Sequence, residues 1–71
     1  MLLQNYLLET LDGAEWKLLG VIQGANARDA LTACALCHSL PVKSVLRLSL
    51  LSYQLGVVKQ SDGTYRPTAT P

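Results

Sequence analysis

The run Cys34-Ala35-Leu36-Cys37-His38 is the part of the chain that spells a known chemistry. Two thiols three residues apart, followed at once by an imidazole, form the attachment pattern of c-type haem. There the thiols bond the vinyl groups and the histidine ligates iron. The rest of the chain offers little support for an electron-transfer haem protein, which stays a distant alternative. His38 is the only histidine and Met1 the only methionine, so no good second axial ligand is left. Zinc fares no better, because two cysteines and one adjacent histidine lack a fourth ligand and are strained on one short helix. A redox disulfide between Cys34 and Cys37 stays open. The plainer reading is two reduced cysteines that pack in a core. No cofactor and no metal are expected.

Catalysis is not expected either. The five acidic residues are scattered, and there is no nucleophile–base pair, Gly-rich phosphate loop or carboxylate cluster. The 71 residues suffice for one small domain. Fifteen are leucine, and the apolar share of 49% is too high for a disordered tail. A net charge of +1 excludes a strongly basic nucleic-acid clamp and an acidic tail alike. No apolar run approaches the roughly 20 residues of a membrane-spanning helix. The start, Met1-Leu2-Leu3-Gln4-Asn5, lacks the basic and long apolar regions of a secretory signal. A cytoplasmic protein without a membrane partner is therefore expected.

The apolar spacing predicts mostly helices. Leu3, Tyr6, Leu7 and Leu11 recur at helical intervals over Leu2 to Leu11. Asp12 and Glu15 resemble a capping box that opens a second helix over Ala14 to Gln23, with Trp16, Leu19 and Ile22 inward and Gly24 as its stop. Asn26 to Leu31 reads as a turn or short extended piece. Thr32 then caps a short helix over Ala33 to His38. Pro41 pushes Leu40 to extended geometry and suits the first turn of a longer helix, from Val42 to Leu55, that stops at Gly56. Val57 to Gln60 has strand character. Asp62-Gly63 signals a tight hairpin, Thr64-Tyr65-Arg66 returns, and Pro67 ends the strand.

Helix, short helix, turn, longer helix, Gly and hairpin is the order of a winged helix-turn-helix domain. The stretch Ala35 to Leu48 resembles the turn and recognition-helix start of IclR-type and MarR-type bacterial regulators. Leu55-Gly56-Val57-Val58-Lys59 resembles their exit into the wing, and Ser61 to Thr68 the wing itself. The resemblance implies an α+β, mainly α fold: three core helices, an extra N-terminal helix and a C-terminal hairpin wing. Residues 1–12 would form the extra helix, 13–68 the winged-helix domain and 69–71 a frayed tail.

The function implied is transcriptional regulation through double-stranded DNA. Lys43, Ser44, Arg47 and Gln54 would lie along the groove-facing helix, with Lys59 and Arg66 on backbone phosphate beside the hairpin. So few cations bind weakly as a monomer, so a homodimer is expected, paired through Leu3, Tyr6, Leu7 and Leu11. Leu46 and Leu50 make the proposed reading face apolar, which suits a protein partner better than bases. The alternative reading is accordingly a winged-helix protein–protein interaction module.

Overall fold

The computed structural model describes residues 2–68, and the tail expected to fray lies outside them. Five strands and two short helices follow one another: β1 (Gln4–Asp12), β2 (Glu15–Gly24), α1 (Ala27–Ala33), α2 (Ala35–His38), β3 (Val45–Leu50), β4 (Tyr53–Lys59) and β5 (Tyr65–Pro67). The strands form one antiparallel sheet in the order β2-β1-β3-β4-β5, with both helices in the connection from β2 to β3.

This overturns the winged-helix expectation. The segments read as N-terminal, second and recognition helices are strands β1, β2 and β3–β4. The reason is periodicity. Tyr6 and Leu8 are buried while Leu7 between them is exposed, and Leu46 and Leu48 are buried on either side of half-buried Arg47. Alternation of this kind is a strand signal. In a chain with fifteen leucines, the helical spacing at Leu3, Tyr6, Leu7 and Leu11 arises as a by-product of composition.

The turns depart from expectation for a related reason. Asp12 and Glu15 face each other across the β1–β2 hairpin, so they close a two-residue turn instead of capping a helix. Gly13, at φ +65°, supplies the positive φ that tight hairpins demand. The β1–β2 register slips between Leu8 and Glu9 and leaves Leu19 as the extra residue of a bulge. Asn26, not Thr32, caps the first true helix, its side chain accepting from the Asp29 amide at 2.9 Å. Lys43 and Ser44 lie in a turn closed by Ser44 N–H to the Pro41 carbonyl at 3.2 Å. Gly56 ends nothing: it lies mid-strand opposite Arg47, where Thr68 N–H reaches its carbonyl at 2.9 Å.

Only one face of the sheet is covered. Leu8, Leu46 and Leu48 are fully buried on it, with Tyr6 and Val57 beside them, beneath Ala27, Ala30, Leu31, Cys34 and Cys37 from the helical segment. Gly24 lets α1 lie close, because a Cβ there would stand 2.7 Å from Ala30 Cα. Leu46 and Leu50 therefore belong to the covered side, Leu46 with no exposure at all, and cannot be the apolar patch expected on a groove-facing helix.

Candidate interaction face

The opposite face of the sheet carries no helix, and its composition is unusual for a surface in contact with water. The register places Leu7 opposite Val21, Leu11 opposite Trp16, and Val45 opposite Val58. Leu18 and Val21 are 64% and 61% exposed, and Leu7 and Leu11 are exposed too. Strand alternation explains Leu7 directly, since its neighbours Tyr6 and Leu8 point to the core, and the bulge at Leu19 brings Val21 to the same face as Leu18. Isolated apolar residues on a surface are ordinary, but a contiguous apolar sheet face marks an interaction site.

Near the middle of this face stands an ion pair. Glu9 and Arg47 are cross-strand partners on β1 and β3. Arg47 Nε and Nη2 both donate to Glu9 Oε1, at 3.1 and 3.0 Å. The same guanidinium lies 4.3 Å from the centroid of the Trp16 ring, in cation–π geometry. The pair is half-buried, so its charges are less screened than those of a fully exposed pair. Gln23 donates to Asn5 at 2.8 Å, satisfying two further polar groups within the face. Ser49 Oγ, on the central strand opposite Leu7, is buried without a partner among the described residues.

The residues expected on DNA do not gather on one surface. Arg47 and Gln54 occupy the uncovered face, where the alternation also places Arg66, opposite Val58 on β5. Lys43 and Ser44 belong to the turn before β3. Lys59 is on the other side of the sheet and only 7% exposed. Its ammonium donates to the carbonyls of Cys37, His38 and Leu40 at 3.2, 3.0 and 2.6 Å, closing the C-terminal end of α2. The residues expected at a dimer seam are divided as well. Tyr6 is buried in the core, 6.4 Å from Tyr53 in an edge-to-face pair, whereas Leu7 and Leu11 are on the uncovered face. Leu3 is exposed just before β1. Glu9, Trp16, Leu18 and Val21 were not seen as parts of a site. A two-residue period read through β1 and the start of β2 would have found Glu9, Trp16 and Leu18, whereas the bulge at Leu19 puts Val21 out of that phase.

Cys34 and Cys37 are free thiols, both buried. Burial, reinforced by the neighbouring Cys34, pushes the Cys37 thiol up to about 12. Burial and the two thiols also push the Tyr65 phenol up to about 12, while its hydroxyl donates to the Cys37 carbonyl at 2.8 Å. Neither is a nucleophile at neutral pH. Both groups stay protonated in the folded chain above the pH at which they would ionise unfolded. Their contribution is thus complete below about pH 9 and is lost as pH rises toward about 12. A pH titration followed by circular dichroism should show alkaline unfolding in that window, and Cys37→Ala with Tyr65→Phe should flatten it. A folded protein with unchanged stability at pH 11 would contradict the assignment.

Among the described residues, no group of three or more His, Cys, Asp or Glu is placed to hold a metal ion. No helix there is long and apolar enough to cross a membrane. Comparison with known protein families, with characterised proteins and with solved structures finds no match.

Proposed function

We propose that this chain is a non-catalytic protein-interaction module that pairs with a second copy of itself through the uncovered sheet face. The observation that carries this reading is the exposure of Leu7, Leu11, Leu18 and Val21 around one internally neutralised ion pair. Among the described residues Arg66 on edge strand β5 is the face's one cation outside that pair, too little for strong phosphate binding, and the recognition helix of the DNA-binding reading is replaced by β3 and β4.

Self-pairing suits the face in two respects. The molecule's longer extents are 34 and 25 Å. A footprint of that order matches the roughly 800 Å² per partner of a standard interface. Moreover, both bonds of the central pair end on Glu9 Oε1. Glu9 Oε2 and Arg47 Nη1 have no hydrogen-bond partner among the described residues, and a two-fold-related copy of the same pair would complete a ring of four charges. Burying an ion pair needs such extra hydrogen bonds to offset desolvation.

Sedimentation over a concentration series tests the proposal. The unaltered chain is expected to be dimeric at micromolar concentration. Leu18→Asp with Val21→Asp changes two exposed residues, so it should stay folded while dimerisation weakens by about 100-fold or more, since each buried aliphatic side chain contributes about 1.5–3 kcal/mol. A chain that stays monomeric at millimolar concentration, or a dimer indifferent to the two substitutions, overturns the reading.

A further inference from the structure

A cavity of about 610 Å³ lies on the other side of the sheet, between the helical segment and strands β4 and β5. Its volume falls within the range of small-molecule sites, about 300–1,000 Å³. Leu55, Val57 and Tyr65 form an apolar floor. The polar groups beside that floor are already engaged: the Tyr65 hydroxyl on the Cys37 carbonyl and the Lys59 ammonium on three carbonyls. Charge is concentrated at the walls. Arg28 of α1 and His38 of α2 line the helical side, and Asp62 lines the turn opposite.

These charges differ in availability. Asp62 Oδ1 accepts from the Thr64 amide at 3.0 Å and the Thr64 hydroxyl at 2.6 Å, and those bonds hold its carboxyl below the usual range. The ion pairs among the described residues join Lys17 to Asp12 and Arg47 to Glu9, so Arg28 has no carboxylate partner there. His38 Nε2 is 3.1 Å from the Thr32 carbonyl, which accepts a hydrogen from it and leaves Nδ1 for another group. A hydrocarbon floor below an unpaired guanidinium is complementary to an amphiphile with one negative end.

We propose that this cavity binds a small apolar monocarboxylate, with its carboxylate on Arg28 beside His38 and its hydrocarbon body against Leu55, Val57 and Tyr65. The site is independent of the interaction face, which lies on the other side of the sheet.

Titration with 2-naphthoate and with neutral 2-naphthalenemethanol, followed by amide ¹H–¹⁵N correlation spectra and calorimetry, tests the proposal. Naphthoate should bind and shift residues of α1, β4 and β5. Naphthalenemethanol should bind about tenfold more weakly, as should naphthoate to Arg28→Gln, whose exposed site leaves the fold intact. Amides around Trp16 should not shift, because that ring is on the opposite face. The proposal is overturned if naphthoate shifts nothing at millimolar concentration, if its shifts fall on the Trp16 face, or if Arg28→Gln leaves its affinity unchanged.

Discussion

Lys59→Met should lower stability by about 1–3 kcal/mol, the usual cost of leaving buried carbonyls without their hydrogen-bond donor. The methionine keeps most of the stem and removes the ammonium. The carbonyls of Cys37, His38 and Leu40 then lose their shared donor. Lys59 also joins β4 to the segment before β3 through its backbone, its N–H on the Ser44 carbonyl at 3.0 Å and its carbonyl accepting from Lys43 N–H at 2.9 Å. Those bonds survive the substitution, so the damage should centre on α2 and the residues leading to Leu40. Urea unfolding gives the total. Native-state reaction of Cys37 with a thiol reagent reports the local part and should quicken as α2 loosens. Lys59→Arg should recover only a portion, because a planar guanidinium cannot take the place of a compact ammonium among three converging carbonyls. A loss below about 1 kcal/mol for Lys59→Met would show that water replaces the ammonium, and that the contact adds little.

Leu48→Ala should cost about 3–5 kcal/mol, comparable with the entire stability of a domain this small. Leu48 is on the central strand, fully buried, with Leu8 and Leu55 as its cross-strand neighbours. Truncation leaves a cavity that the paired strands on either side cannot close. Leu51→Ala is the contrasting control. Leu51 is 98% exposed in the β3–β4 turn at φ +53°, and its loss should change stability by no more than about 0.5 kcal/mol. Chemical unfolding of the two variants measures the difference. Similar losses at the two positions would mean that β3 is not the centre of the core, and the sheet order would then be wrong.

The two leucines also show how far the chain can be read without its structure. Both fall in the stretch Val42 to Leu55 that reads as one helix. Leucine favours helices intrinsically, and tertiary pairing overrides that preference. The alternation Leu46-Arg47-Leu48-Ser49-Leu50 was present in the sequence, but so was a helical spacing through the same residues. Lys59 shows the same limit for the site. A lysine before a hairpin reads as a contact to backbone phosphate, and nothing local reveals the helix end folded over it. Arg47 was picked out for its charge, yet its partners Glu9 and Trp16 belong to strands 38 and 31 positions earlier.

What the sequence determined by itself is several of the places where the chain changes direction, though not the β3–β4 turn at Leu51 and Ser52. Asp12-Gly13, Gly24, Pro41 and Asp62-Gly63 all coincide with turns or element ends, because backbone restrictions at glycine and proline act within a few residues. The leucine-rich composition likewise supplied the buried core. The tertiary structure decided the type of each element and the side on which each residue ended. A strand has no hydrogen bonds of its own and exists only through neighbours that can lie far along the chain. Pairing β1 with β3 sends Leu8 inward and Glu9 outward to Arg47, and a shift of one residue would exchange the two faces. The apolar face we propose as an interface is thus a product of register, which no single segment carries.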